Sequence, residues 1–279
     1  MAPFFLSLRR AGFRGDIVVF SSSIDKESVS QLKRWGARVV PFRFFGRHVS
    51  NPAARPWWIW KRVFASGISE SAKERVAHVV FHLFYRRHLL YLDFLRAYGD
   101  RYTRFFMTDC RDVFFQADPF AWSQSPGLHV FLEDESNKIG QCSHHIRWIA
   151  SQFGEETLRS LRDETVCCAG TVFGDRSGLH DYLRQMVSLT MQANTLREAD
   201  GDQGLHNFLV RKVSFPRITI HRNAEGPVMT VGVMRMTDLR LSPDDSVMNE
   251  ANEVAPVVHQ YDRIPELREM LLARIRHID

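Results

Sequence analysis

No apolar run in these 279 residues reaches the ~20 needed to cross a bilayer as a helix, so a membrane-spanning chain is not expected. Residues 1–6 are too short for the apolar core of a secretory leader, and Arg9-Arg10 follows in place of a cleavage site. The expected location is therefore cytoplasmic. The four cysteines, Cys110, Cys142, Cys167 and Cys168, show no C-x-x-C spacing, and the adjacent Cys167 and Cys168 cannot easily pair with each other. Reduced thiols are the simplest account, and a thiolate zinc site is not expected. No internal repeat, low-complexity tract or linker divides the chain, which predicts a single domain over residues 1–279. Blocks of basic residues are also missing. The formal charge of +5 and pI near 9.2 suggest an anionic partner, but the basic residues are spread along the chain, and nucleic acid is not the expected one.

Apolar side chains are plentiful. With 44% hydrophobic residues, 21 of them Phe, the chain can bury a sizeable core. Residues 2–12 read as a helix, 16–20 as a strand, 25–35 as a helix and 37–42 as a strand. Such alternation is the pattern of a parallel sheet with covering helices. Residues 51–62 are Pro-interrupted, basic and Trp-rich, a composition for peripheral membrane contact or for packing a loop onto the domain. Residues 79–98 read as one amphipathic helix. Val80, Leu83, Phe84, Tyr91, Phe94, Leu95 and Tyr98 form its apolar stripe, and His78, His82, Arg86, Asp93 and Arg96 lie opposite. Arg87 falls inside the stripe, where a guanidinium needs an acid, a carbonyl or a phosphate.

Residues 105–120 organise the rest. An apolar run ends at Thr108-Asp109, Asp112 follows three residues later, and Val113-Phe114-Phe115 resumes the run until the turn signal Asp118-Pro119. Two acids between buried runs either belong to an exposed turn, with Asp109 paired to Arg111, or hold a divalent cation through hard oxygens. Residues 128–132 read as a strand ending in Glu133-Asp134-Glu135, acids at the end of the sheet where open α/β folds place ligands. Residues 166–173 read as a further strand with Gly170 inside it, a sign of close approach by a ligand or backbone. A helix is expected over 177–198. Asp202 reads as the N-cap of the next one, with Gln203, His206 and Asn207 in the same turn. Residues 238–252 read as a polar loop. The last strand ends at His259.

Four of these stretches share a resemblance. Thr108-Asp109-Cys110-Arg111-Asp112-Val113 resembles the metal-binding motif of GT-A nucleotide-sugar glycosyltransferases, in the form T-D-x-R-D-V-x-F-Q-x-D-P-F. Asp202-Gln203-Gly204-Leu205-His206-Asn207 is similar to that family's D-Q-x-x-x-N element. His259-Gln260-Tyr261-Asp262-Arg263 is similar to its H-Q-Y-D-R ending, and Cys168-Ala169-Gly170-Thr171 to its C-S-G-T segment, with Ala169 in place of the Ser. The resemblance implies a GT-A-like (Rossmann-like) α/β fold with a mostly parallel central sheet and helices on both faces, the first strand short or missing. It implies a metal-dependent hexosyltransferase that moves a sugar from a nucleoside-diphosphate donor to a hydroxyl of a glycan or other acceptor. Asp109, Asp112 and His259 would hold Mn²⁺ or Mg²⁺, and a neutral imidazole suits Mn²⁺ better. Arg87, Arg111, Asp134, Gly170, Thr171 and Asn207 would contact substrate, while Asp202, Gln203 and Glu133 would be catalytic. The alternatives are a nucleotidyltransferase on the same sheet, for which no Gly-rich phosphate loop is seen, and a non-catalytic module binding membrane or nucleic acid.

Overall fold

The computed structural model describes residues 2–22, 24–43, 57–122, 125–194 and 201–275. The chain opens on helix α1 (Ala2–Arg10), then strand β1 (Ile17–Ser21), α2 (Lys26–Arg34) and β2 (Ala37–Pro41). Asp25 starts α2 as expected, its carboxylate accepting from Ser28 N at 2.8 Å. β1 and β2 pair in parallel and with no other strand among the described residues.

Three helices follow: α3 (Trp57–Ala65), α4 (Glu70–Val80) and α5 (Leu83–Tyr98). Part of the Trp-rich segment, residues 51–56, lies outside the described residues. In α3, Trp57 donates from Nε1 to Ala193 O at 2.9 Å and Trp60 packs on the core, whereas Trp58 is 61% exposed beneath Arg62. The helix expected over 79–98 is two helices. Phe81 and His82 take extended backbone angles (ψ 137° and 156°) because Phe81 turns inward against Trp57 and Phe64. The restart rotates α5, so that Tyr85, Arg86, His88, Leu89 and Leu92 are buried and Leu83 is exposed.

The sheets are mixed, not mostly parallel. β3 (Arg104–Thr108), β6 (Cys167–Asp175), β5 (Leu128–Leu132) and β7 (Ile218–His221) lie side by side in that order. β6 runs antiparallel to both neighbours, and only β5 and β7 are parallel. The cause lies in the connection from β5 to β6. It is a hairpin of two helices, α6 (Ser143–Phe153) and α7 (Glu155–Leu161), turned at Gly154 with φ 90°. Two helices return the chain to the end it left, so Glu133 N donates to Val166 O at 2.8 Å and β6 runs back. A single crossover helix would have delivered it parallel.

A second, three-stranded sheet has the order β4 (Val113–Phe115), β11 (Val257–His259), β8 (Val228–Thr230). The polar loop expected over 238–252 contains a small hairpin instead, β9 (Arg240–Leu241) against β10 (Val247–Met248), anchored by buried Val247. One face of the large sheet carries α3, α4, α5, α8 (Arg176–Gln192) and α9 (Asp202–Lys212), all packed in one apolar cluster. On the other face Phe131 and Phe173 meet Phe4, Phe5 and Leu8 of α1 and Val113, Phe115, Val228 and Val257 of the small sheet. That face is therefore covered mainly by a sheet where helices were expected. The last helix, α10 (Pro265–Ala273), buries Leu267 and Leu271, and residues 195–200 and 276–279 lie outside the description. No helix among the described residues is long and apolar enough to cross a membrane.

Candidate metal centre

The four residues 109–112 are the step from the large sheet to the small one. β3 stops as Asp109 N donates to Gly170 O at 2.9 Å, and β4 starts at Val113, directly opposite His259. Gln260 N donates to Asp112 O at 2.7 Å, and Gln260 turns the chain away with a left-handed φ of 59°. Strand register thus brings Asp112 and His259 together from residues 147 positions apart (259 − 112). Ligand atoms of Asp109, Asp112 and His259 all fall within 4.8 Å of one another. Two donors across an ion with bonds of ~2.1–2.4 Å stand about 4.2–4.8 Å apart, so the spacing suits one divalent cation.

The imidazole is buried, and its two nitrogens differ. Nδ1 lies 3.4 Å from Cys168 Sγ and 3.4 Å from Thr230 Oγ1, which fix the ring from behind. Nε2 is buried without a hydrogen-bond partner, 3.8 Å from Asp112 Oδ1. Burial holds His259 below its ordinary pKa against the pull of Asp112, which keeps the ring neutral. Burial also raises Asp112, with His259 opposing. An orphaned basic nitrogen facing two carboxylates is a donor set that fits a cation.

Gly170 explains why a glycine stands in β6. A Cβ there would lie 2.7 Å from Asp109 Oδ2 and 2.9 Å and 3.0 Å from His259 Cε1 and Nε2. The strand bulges at this point. Val130 faces Val172, but Leu132, two residues on, faces Cys167, five residues back, so the segment around Gly170 leaves the ladder with β5. Thr171 remains paired with Thr108 and fully buried, its Oγ1 unpartnered.

Arg87 answers the question its position raised. Nη1 lies 3.0 Å from Asp109 Oδ1 and Nη2 lies 2.6 Å from Asp202 Oδ2. Burial opposes its charge, but Asp202 and Asp109 outweigh it and hold the guanidinium above its usual value. Asp202 is not the N-cap of α9: Gly201 is, and Asp202, 2% exposed, turns to Arg87. Asp109 is thus paired with Arg87, and Arg111 stands exposed.

The amides behind Asp202 face the sheet backbone. Gln203 accepts from Ala169 N at 2.7 Å and donates to Cys167 O at 3.0 Å. Asn207 accepts from Cys167 N at 2.8 Å and donates to Cys167 O at 2.9 Å. They fasten α9 to the bulging edge of β6, so their place is to position the strand that carries Gly170. Their sequence spacing of four, one helical turn, left contact with substrate or contact with a strand equally open.

Of the acids after β5, Glu133 is buried and accepts from Asn137 Nδ2 at 2.7 Å, and burial raises its pKa. Asp134 closes a turn by accepting from Ser136 N at 2.9 Å, and Glu135 pairs with Arg222. Neither reaches the three-ligand cluster. Two residues that do touch it, Cys168 and Thr230, were missed in the sequence. Cys168 was legible from parity, since it shares a strand face with Gly170 two positions on. Thr230 had no signal, being placed opposite His259 by the register of β8. All four cysteines are free thiols.

No protein-family model matches this chain, and no curated protein matches it.

Proposed function

We propose that the chain is a metal-dependent glycosyltransferase of the GT-A kind, transferring a sugar from a nucleoside-diphosphate donor to an acceptor hydroxyl. The observation that carries the reading is the meeting of Asp109, Asp112 and the orphaned His259 Nε2 at the join of two sheets. The motif resemblance supplies the reaction class. Mn²⁺ or Mg²⁺ held there would neutralise charge developing on the departing diphosphate.

The protein's own groups have distinct tasks. Arg87 locks Asp109 in orientation, so the carboxylate stays directed at the cluster. Asp202 supplies the second anchor for that guanidinium. Its tight pairing makes it a poor general base and a good positioning group. Gln203 and Asn207 hold the bulge of β6 so that Gly170 leaves room beside the acids. Thr230 and Cys168 orient the imidazole.

The test is calorimetry with UDP- and GDP-sugars, with and without Mn²⁺, joined to a donor-hydrolysis screen. The expected result is sugar-nucleotide binding that requires the cation and disappears in Asp112→Ala. Binding indifferent to metal, or no binding across the panel, overturns the reading.

A further inference from the structure

Single apolar side chains are normal on a protein surface, but a cluster of them calls for a partner. Of the nine large apolar side chains exposed among the described residues, five lie between residues 58 and 83: Trp58, Ile59, Ile68, Val79 and Leu83. Trp58 and Val79 are the two most exposed of the nine. On α3, Trp57, Trp60 and Phe64 face the core, which leaves Trp58, Ile59 and Arg62 on the outer face. On α4, Ala77 and Val80 face the core, and Arg75 and Val79, four residues apart, share the outer face, with Ile68 exposed at the entry to the helix. The two helices meet at Phe81, whose ring centre lies 6.3 Å from that of Trp57 and 5.8 Å from that of Phe64. Val79 and Leu83 flank Phe81, and Trp58 and Ile59 follow Trp57, so these exposed side chains come out around one joint.

The charge around the joint is positive. The acids of α4 are already paired, Glu70 with Lys73 at 2.8 Å and Glu74 with Arg96 at 2.7 Å. Lys61, Arg62 and Arg75 have no carboxylate within ion-pair distance among the described residues. Lys61 Nζ donates to the neutral amide of Asn194 at 2.8 Å, and the Arg62 guanidinium lies 5.3 Å from the ring centre of Trp58. An exposed indole and aliphatic side chains ringed by uncompensated cations match the two layers of a bilayer surface. The apolar groups suit the headgroup–acyl boundary, and the cations suit anionic headgroups. A second copy of the same face would meet these cations with cations of its own, which opposes self-association.

We propose that the outer face of α3 and α4, with Leu83 at the start of α5, docks the protein on an anionic lipid bilayer. Trp58, Ile59, Val79 and Leu83 enter the headgroup boundary, while Lys61, Arg62 and Arg75 meet the lipid phosphates. No helix among the described residues can cross the bilayer, so the contact is with one leaflet. Leu83 stands one helical turn before Arg87, so docking brings the bilayer to the same end of α5 as the metal centre. The face needs no bound metal and does not depend on the sugar-transfer reading.

Co-sedimentation of the full chain in EDTA with vesicles of phosphatidylcholine, alone or with about one third phosphatidylserine, tests it. EDTA keeps the metal cluster empty, so failure here is separate from failure of the proposed reaction. Wild type is expected to bind the mixed vesicles, to bind phosphatidylcholine alone far more weakly, and to be released as salt is raised. Trp58→Ser is expected to bind the mixed vesicles about tenfold more weakly, and Arg62→Ala and Arg75→Ala about fivefold each. All three side chains are exposed, so circular dichroism of the variants is expected to match wild type. Should Trp58→Ser not fold, Val79→Ser removes apolar area from the same face and is expected to weaken binding too. No binding to the mixed vesicles, equal binding to the neutral ones, or unchanged binding in the variants overturns the proposal. A dimer in solution that Trp58→Ser dissociates also overturns it, because the face would then be a contact between two copies.

Discussion

Gly170 and Arg87 show two ways in which single residues serve the cluster. Gly170 contributes space: an added methyl would press on Asp109 Oδ2 and His259 from backbone that the β3 ladder holds in place. Gly170→Ala is therefore expected to weaken Mn²⁺ binding by about tenfold, or ~1.4 kcal/mol, while the protein stays folded. Calorimetric titration with Mn²⁺ alongside circular dichroism checks both halves. Arg87 contributes charge. Arg87→Met leaves the almost fully buried Asp202 without its cation, a loss of about 3 kcal/mol for a buried pair. Urea unfolding measures it, and a loss below about 1 kcal/mol would mean that Asp202 finds another partner or is protonated. At this scale the sequence was readable where residue type restricts chemistry. An Arg inside an apolar stripe had to meet an acid, a carbonyl or a phosphate, and it meets two acids. It was unreadable where one side chain suits several partners. The amides of Gln203 and Asn207 bond a strand as readily as a sugar, and Asp202 looks like a cap until Arg87 is seen opposite it.

Elements were legible as elements, and much less so in their relations. Strands β1, β2, β5 and β6 and helix α2 stand where periodicity and turn residues put them. Two expectations about arrangement failed. The break at Phe81–His82 was hidden because Phe81 is held extended by aromatic contacts with α3, distant in sequence, and no Gly or Pro marks it. Displacing the register of α5 turned Arg86, expected outward, into a buried residue. The direction of β6 was hidden because one crossover helix and a pair of helices read alike in a strand–helix–strand pattern. Gly154 was the clue, an αα-hairpin turn at φ 90° with open space around its Cα. Gly154→Ala meets no steric contact but forces an alanine into a left-handed region, and should cost about 1–2 kcal/mol. Thermal denaturation is the check, and a variant as stable as the parent would show that the hairpin relaxes.

Across the whole molecule, burial has left several histidines neutral. It pushes His206 down to about 3, and His145 and His221 down to about 4. His206 is enclosed by Tyr182 Oη at 2.8 Å and Cys167 Sγ at 3.2 Å, neither of which compensates a positive ring. His221 is stacked on His129 and Phe131, with His129 Nδ1 3.0 Å from its Nε2. Between the folded values and the unfolded one near 6.5, the unfolded chain binds more protons. Stability is therefore full above about pH 6.5 and falls as the pH drops toward 4. Asp112 and Glu133, raised by burial, act in the opposite sense and offset part of the loss. The net fall is expected to be on the order of a few kcal/mol, read from urea unfolding at pH 7, 5.5 and 4.5. Equal stability at all three would show that the rings are hydrated or paired when charged.

The account depends most on one cation being shared by residues from the join of the two sheets. Titration of the full chain with Mn²⁺, followed by electron paramagnetic resonance of the free ion, tests this directly. One ion is predicted to bind per chain, with affinity lost by more than tenfold in both His259→Ala and Asp112→Asn. A wild-type chain that binds no ion, or variants that bind as tightly as it does, would contradict the account.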